Sequence, residues 1–268
     1  MELPANVFKF KLAAKAADTP LYGCWLGLAN AYTAEIVATA DFDWLLIDGE
    51  HAPNTVVTIL DQLRAIEPWP AAPIVRAVNH DPALIKQLLD IGTRTLMVPM
   101  VETGEQAAAL VAAMRYAPAG IRGMGAGVIR ADRWGSVADY ATRADDSLCL
   151  ITQVESKTGV DNVEAIANTD GVDAVFVGPA DLSTNMGHVG NPGHADVQAS
   201  ISHVLDVTQA AGKAAGILAP AEVDTNRYRE AGFDFIATGL DVVMLKTAAD
   251  ANAARHRGGL PAADRSTY

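Results

Sequence analysis

Eight short apolar runs recur along this chain of 268 residues, and a longer segment with helical spacing follows each of them. The runs are rich in Val, Ile and Leu and do not alternate with polar residues, which is typical of parallel strands buried on both faces. They span residues 21–26, 44–48, 73–78, 95–99, 148–154, 174–178, 214–218 and 235–239. Eight strand–helix units in a chain of this length predict a single (β/α)8 TIM barrel. A doubly wound open sheet is the alternative, which the lack of a phosphate-binding glycine turn disfavours.

The segments between the runs carry helix boundaries. Asp81-Pro82 and Thr103 are typical helix openings, and Gly92, Gly212 and Gly232 are typical endings. The spacing predicts helices over residues 81–91, 103–116, 160–168, 197–211 and 221–231, with a last helix from 241 to about 255. We predict one barrel domain over residues 1–256 and a polar tail over 257–268.

One predicted connection, over residues 118–147, is unusually long. Loops beyond about 15 residues in compact domains are usually functional or disordered. Its glycines at 123, 125 and 127 do not match the dinucleotide-binding pattern, because Val128 occupies the position of the third glycine. We therefore predict a flexible lid or rim over the functional site.

The charge of the chain limits its partners. A net charge of −12 argues against nucleic acid and anionic membranes. No apolar run approaches the roughly 20 residues of a membrane span, and the first residues lack the basic-then-apolar order of a secretion signal. Cys24 and Cys149 fall inside apolar runs and are expected to be buried thiols. These observations favour a cytoplasmic protein with small-molecule substrates.

Charged and polar side chains gather where the predicted strands end, which is where barrel enzymes carry their reacting groups. The residues at these strand ends are Asp48, His51, Arg76, Gln153, Glu155 and Asp181. Two convergent carboxylates, Glu155 and Asp181, predict a site for a hard cation such as Mg²⁺ or Mn²⁺. Arg76 lies inside an apolar run and needs an anion to face. The alternatives are solvated loop residues, an N-cap role for Asp181 and a structural loop role for His51.

Five ordered blocks around these residues resemble the HpcH/HpaI family of metal-dependent class II pyruvate aldolases. They are Leu-Leu-Ile-Asp-Gly-Glu-His-Ala-Pro-Asn (45–54), Leu-Leu-Asp-Ile-Gly-Thr-Arg-Thr-Leu-Met-Val-Pro-Met-Val (88–101), Ala-Gly-Ile-Arg-Gly (119–123), Gln-Val-Glu-Ser (153–156) and Val-Gly-Pro-Ala-Asp-Leu-Ser (177–183). Gly-His-Val-Gly-Asn-Pro (187–192) and Gly-Ile-Leu-Ala-Pro (216–220) extend the match over nearly the whole chain. The stretch 127–130 departs from the small-residue-rich version of the family.

The resemblance implies a barrel of the phosphoenolpyruvate/pyruvate-binding type that reversibly cleaves a 4-hydroxy-2-oxo acid to pyruvate, or a related 2-oxo acid, and an aldehyde. It implies that Glu155 and Asp181 ligate Mg²⁺, Mn²⁺ or Co²⁺. Arg76 would lie against the keto oxygen of the substrate. His51, oriented by Asp48, would act as the acid/base on the aldol hydroxyl.

The resemblance also implies contacts to the substrate and between subunits. Backbone amides near Ala180 and Asp181 would hold the substrate carboxylate, and Gln153 would support the metal water or the substrate. Leu218 would form an apolar wall beside the aldehyde pocket, or else pack the barrel. The resemblance further implies a hexamer in which neighbouring barrels exchange the C-terminal helix. Asp90 matches a residue that reaches an adjacent subunit's site, although the sequence alone indicates a surface carboxylate at a helix end.

Three rival functions make different demands on the sequence. A Schiff-base lyase needs a desolvated lysine inside the barrel, whereas Lys213 begins its strand and Lys157 lies beyond Glu155. The second rival is another metal-dependent enzyme of the pyruvate-binding barrel group, such as a citryl or malyl thioester lyase. It should need a basic surface for coenzyme phosphates, and the chain has no basic cluster except Arg122, Arg130 and Arg133. The charged groups at four strand ends argue against a non-catalytic binding protein.

Overall fold

The computed structural model of the protein describes residues 1–16 and 19–257. Its eight strands pair in parallel in chain order, and the last strand pairs with the first. The sheet is therefore closed, which confirms the predicted (β/α)8 barrel and rules out the open doubly wound sheet. The bounds of the strands are β1 Leu21–Leu26, β2 Trp44–Asp48, β3 Ala72–Arg76, β4 Thr95–Val98, β5 Cys149–Val154, β6 Ala174–Val177, β7 Ala214–Leu218 and β8 Phe235–Leu240.

Helices alternate with the strands, and one further helix precedes β1. Their bounds are α1 Val7–Ala14, α2 Ala31–Ala38, α3 Val56–Ile66, α4 Pro82–Asp90, α5 Gly104–Met114, α6 Tyr140–Arg143, α7 Lys157–Asp161, α8 Val163–Ala167, α9 Pro179–Asn185, α10 Ala195–Ala210, α11 Glu222–Ala231 and α12 Asp241–Arg257. The helix predicted over residues 160–168 is in fact two short helices, α7 and α8. They are separated at Asn162, whose backbone is not helical.

Aromatic side chains fill the inside of the barrel. Trp25, Trp44, Phe176 and Phe235 pack against one another with ring centroids 5.5–6.3 Å apart. A Cβ at Gly216 would collide with the rings of Phe235 and Phe176, so the neighbouring aromatic rings leave no space for a side chain there. The barrel is thus a packed core and not a channel.

Helix α1 closes the N-terminal end of the barrel. The ring of Phe8 packs edge-on against Phe235, with centroids 5.2 Å apart. Three lysines of this segment pair with the aspartates that directly precede β6, β2 and β8: Lys9 with Asp173, Lys11 with Asp43 and Lys15 with Asp234. Because α1 covers this end, the carboxyl ends of the strands are the face of the barrel available for a ligand.

The long connection also packs at the closed end. Arg130 donates to the Ile91 carbonyl at 2.9 Å and pairs with Glu67 at 2.7 Å, and both acceptors follow helices that run away from the strand C-termini. The Met1 ammonium donates to the Ser136 carbonyl at 2.7 Å. The predicted lid over the site is therefore wrong for this chain, because the connection leaves α5 and enters β5 at the opposite end of the barrel.

The last helix, α12, packs on the barrel only at its start. Asp241 is its one buried residue, and Val242, Met244 and Leu245 are exposed. Within the described ranges, no helix has the length and apolarity needed to span a membrane. The predicted tail lies outside the described residues except for Arg257, which ends α12.

Both cysteines are free and buried, as predicted. Burial raises the pKa of the Cys24 thiol to about 12.

Candidate active site

Asp48 and Arg76 form a locked pair at the open end of the barrel. They are the last residues of β2 and β3 and lie opposite each other in the strand register. The Arg76 guanidinium donates from Nε to Asp48 Oδ1 at 2.9 Å and from Nη2 to Oδ2 at 2.8 Å. Both residues are buried, since Arg76 is 5% exposed and Asp48 is 4% exposed. Although burial opposes its charge, the Asp48 carboxylate raises the pKa of Arg76, so the guanidinium stays ionised.

The Asp48 side chain also binds the backbone of the loop that follows β2. Its Oδ1 accepts the N–H groups of Glu50 at 3.0 Å and His51 at 3.3 Å. The His51 side chain is 66% exposed, and the acid near it is Glu50, whose Oε2 lies 3.8 Å from His51 Nε2. We expected Asp48 to orient the His51 imidazole. Instead, both carboxylate oxygens of Asp48 accept hydrogen bonds from Arg76.

Glu50 is a site residue that sequence reasoning missed. Its Oε2 lies 2.8 Å from Arg76 Nη1, so Arg76 bridges two carboxylates. Burial raises the pKa of Glu50, and the nearby charges of Asp48 and Asp181 act in the same direction. Its place in the same strand-end loop, between Asp48 and His51, was the available signal.

Glu155 follows β5 and is 2% exposed. Its Oε1 accepts the backbone N–H of Met100 at 2.9 Å, and its Oε2 accepts Gln153 Nε2 at 2.7 Å. Burial raises the pKa of Glu155 to about 8, and the charges of Asp181 and Glu50 add to that effect. Met100 has a left-handed backbone with φ of 52°, so strain in the loop after β4 accompanies this contact.

Asp181 faces the same region from α9. Gly178 is the N-cap residue of this helix and Asp181 lies in its first turn, so the N-cap alternative for Asp181 is wrong. A Cβ at Gly178 would collide with Glu155 Oε2, which explains a glycine between β6 and α9. Asp181 is exposed, whereas Glu155 is buried, so the two carboxylates differ in their access to solvent.

The residues present suit a divalent cation. The charges of Asp181 and Glu50 help to raise the pKa of the buried Glu155, Asp181 also helps to raise that of Glu50, and Arg76 opposes both shifts. Gln153 Oε1 is buried without a hydrogen-bond partner, so an acceptor oxygen is left over beside Glu155. A bound cation would favour the ionised form of Glu155, which burial and the charges of Asp181 and Glu50 now disfavour. Oxygen donors of this kind suit Mg²⁺, Mn²⁺ or Co²⁺.

The remaining predicted residues divide between the two ends of the barrel. Leu218 ends β7 and packs on the barrel interior, and with Pro179 and Ala180 it lines a cavity of about 200 Å³ beside the site. Asp90 ends α4 at the closed end, where Arg122 Nη2 donates to its Oδ1 at 2.7 Å. The structure therefore does not bring Asp90 to the site of its own chain, and Asp90 is an ion-paired residue rather than a free surface carboxylate.

Comparisons with known proteins agree on one family. Residues 21–248 match the HpcH/HpaI aldolase/citrate lyase family. The chain is 64% identical over 258 residues to a hydroxypyruvate/pyruvate aldolase of Chromohalobacter salexigens, covering 96% of this chain and 100% of the relative. It is 52% identical to a 4-hydroxy-2-oxo-heptane-1,7-dioate aldolase of Salmonella typhi, covering 92% of this chain and 93% of the relative. The crystal structure of an HpcH/HpaI aldolase/citrate lyase family protein from Burkholderia cenocepacia superposes with a TM-score of 0.90 at 43% identity, covering 95% and 100% of the two chains.

Proposed function

The chain belongs to the HpcH/HpaI aldolase/citrate lyase family, and from that premise we propose a class II aldolase that reversibly cleaves 4-hydroxy-2-oxo acids. The products are pyruvate, or a related 2-oxo acid such as hydroxypyruvate, and an aldehyde. The observation that supports this most is the buried Glu155, with its raised pKa, beside Asp181 and the locked Arg76.

In this proposal Glu155 and Asp181 hold a divalent ion, with Mg²⁺, Mn²⁺ and Co²⁺ as candidates. When bound, the ion supplies Lewis acidity to the carboxylate and keto oxygens of the 2-oxo acid. Gln153 keeps the Glu155 carboxylate oriented through its 2.7 Å hydrogen bond. Gln153 Oε1 is left to accept from a water or a substrate hydroxyl.

Arg76 stabilises the negative charge that develops on the keto oxygen when the C3–C4 bond breaks. Its two hydrogen bonds to Asp48 fix the guanidinium before the substrate arrives, so little reorganisation is needed as charge develops. A flexible lysine at this position would lack that two-point attachment.

His51 takes the proton from the C4 hydroxyl as that carbon becomes the aldehyde carbonyl. The electron pair of the broken bond remains with C3 and the keto group, and a proton then returns to C3 to give the 2-oxo acid. The exposed imidazole can reach a ligand, and its Nε2 lies 3.8 Å from the Glu50 carboxylate.

The rest of the assignment concerns binding and assembly. We assign the substrate carboxylate to the backbone near Ala180 and Asp181, and the aldehyde side to Leu218. We further propose a hexamer in which Asp90 reaches a neighbouring site and α12 is exchanged between barrels. The exposed apolar side chains of α12 support that exchange. Two buried free thiols fit a reducing compartment such as the cytoplasm.

The lysines argue against the Schiff-base alternative. Lys213 precedes β7 at the closed end of the barrel and donates to the Val172 carbonyl at 2.7 Å. Lys157 is exposed and pairs with Asp161. The basic cluster that a thioester lyase would use is also occupied, since Arg122 pairs with Asp90 and both Arg130 and Arg133 pair with Glu67.

The test is pyruvate release from a panel of 4-hydroxy-2-oxo acids. We expect EDTA-treated protein to be inactive, Mn²⁺, Co²⁺ or Mg²⁺ to restore activity, and borohydride to trap no substrate adduct. Running the panel in reverse with pyruvate and hydroxypyruvate as donors identifies the 2-oxo acid. A borohydride-trapped adduct, or full activity in EDTA, would overturn the proposal.

A further inference from the structure

A second group of potential metal ligands lies outside the candidate active site. His188 and His194 belong to the connection between α9 and α10, and Asp196 lies in the first turn of α10. In the part of the chain that the structure describes, these side chains are the one group of three His, Cys, Asp or Glu with ligand atoms all within 4.8 Å of one another. Neither the proposed reaction nor the proposed substrate contacts use any of them.

The spacing of the three side chains suits coordination of one ion. Asp196 Oδ2 lies 3.7 Å from His188 Nε2 and 3.7 Å from His194 Nδ1. Two donors bound at about 2.1 Å to a tetrahedral ion are about 3.4 Å apart. The observed separations are therefore within a few tenths of an ångström of those that a shared ion requires.

The backbone holds this connection in place. The His188 N–H donates to the Ser183 carbonyl at 2.7 Å, and the His194 N–H donates to the Asn191 carbonyl at 3.2 Å. Gln198 Nε2 closes the connection onto α10 by donating to the Pro192 carbonyl at 2.8 Å. The main chain thus presents both histidines before any ion arrives, which lowers the entropy that binding would cost.

The side chains have the freedom that coordination needs. The two imidazole rings stack with centroids 3.5 Å apart, so the backbone is preset and binding needs only a rotation of the rings about their side-chain bonds. Their side chains are 27% and 36% exposed, so the rings can move and an ion can reach them. His194 Nδ1 accepts only one long hydrogen bond, 3.3 Å from the Asp196 N–H, which an ion bound at Nδ1 would replace.

We propose that His188, His194 and Asp196 form a second cation site, separate from Glu155 and Asp181, that takes a borderline divalent transition metal such as Zn²⁺, Co²⁺ or Ni²⁺. Two neutral imidazoles and one carboxylate are a donor set for these ions, whereas Mg²⁺ prefers oxygen ligands only. The site occupies the segment that directly follows α9, the helix that carries Asp181. It does not depend on the proposed aldolase activity.

Calorimetric titration of the full-length, EDTA-stripped protein with Co²⁺ tests this site. Glu155→Gln is the background, because it removes a ligand of the first site. We expect one Co²⁺ per chain in this background and no binding of Mg²⁺ over the same concentration range. His188→Asn or His194→Asn should weaken Co²⁺ binding about tenfold or more.

The matched control is His203→Asn, which removes an exposed histidine elsewhere on α10 and should leave Co²⁺ binding unchanged. Asparagine at position 194 keeps an N-cap residue on α10, and thermal melting verifies that each variant is folded. Asp196→Asn gives an independent third test. Absence of Co²⁺ binding in the Glu155→Gln background would overturn the proposal, as would equal Co²⁺ affinity in all three ligand variants and the control. Neither result bears on pyruvate release by the parent.

Discussion

Glu155→Gln tests the electrostatics of the site directly, because it removes a buried carboxylate and keeps its shape. The glutamine Oε1 can still accept the Met100 N–H. Its new amide group can donate to Gln153 Oε1, which has no partner now, after a flip of the Gln153 amide. We therefore expect the metal-free variant to fold, and to be more stable than the metal-free parent at pH 8.

The size of this effect follows from proton binding. Burial raises the pKa of Glu155 from 4.5 to about 8, so the native state binds more protons than the unfolded chain between those pH values. The stabilisation by the protonated group is fully present below pH 4.5 and is lost as the pH rises through 8. Between pH 5 and pH 8 the loss is on the order of 3 kcal/mol, or roughly 5–10 °C in melting temperature for a domain of this size.

The assay is thermal and chemical unfolding of the parent and the variant at pH 5 and pH 8, in EDTA and in Mn²⁺. Comparing the two proteins cancels the titration of all other groups. Glu164→Gln is the matched control, since it makes the same change at an exposed glutamate and should follow the parent. Mn²⁺ should restore the stability of the parent at pH 8 and leave Glu155→Gln unchanged.

Equal pH slopes for the metal-free parent and Glu155→Gln would refute this reasoning. Such a result would mean that ionised Glu155 costs no more in the folded protein than in water. Stabilisation of Glu155→Gln by Mn²⁺ to the same extent as the parent would refute the assignment of Glu155 as a ligand.

Three further changes test the site from other sides. Arg76→Lys breaks the two-point pair with Asp48. We expect kcat to fall about 100-fold and the free energy of unfolding, measured with denaturant, to fall by roughly 3 kcal/mol. An unchanged kcat would contradict the role of Arg76. His51→Ala should lower kcat by about 10²–10⁴ while calorimetry shows unchanged Mn²⁺ affinity, whereas lost Mn²⁺ binding would make His51 part of the metal site. Gly178→Ala places a Cβ against Glu155 Oε2, so Mn²⁺ affinity should drop although circular dichroism shows an intact barrel; parent-like Mn²⁺ affinity would show that the β6–α9 turn can shift.

The order and period of the apolar segments determined the barrel. Strands buried on both faces need continuous runs of Val, Ile and Leu, and three of the eight runs match the structure at both ends: Leu21–Leu26, Trp44–Asp48 and Ala214–Leu218. The remaining strands end within two residues of the prediction. Helix α1 was missed, because its apolar Phe8 is buried under the barrel by tertiary packing and not by a strand–helix repeat.

The sequence also predicted where a site would lie, since residues at the carboxyl ends of parallel strands must meet at one edge of the barrel. It predicted the convergence of Glu155, Asp181 and Arg76 on that argument. It did not predict that Asp48 locks Arg76 rather than the His51 imidazole, nor that Glu50 joins them. Those contacts depend on the β2–β3 register and on the turn of one loop, which local patterns do not encode.

Only the tertiary structure decided what the long connection packs against and which histidines meet outside the site. Residues 118–147 have the length of a lid, yet both of their ends are fixed where α5 stops and β5 starts. His188 and His194 become neighbours of Asp196 through a chain reversal between α9 and α10. Periodicity reports which face of a segment is buried, whereas contacts between distant loops follow from where the folded barrel places the ends of its helices.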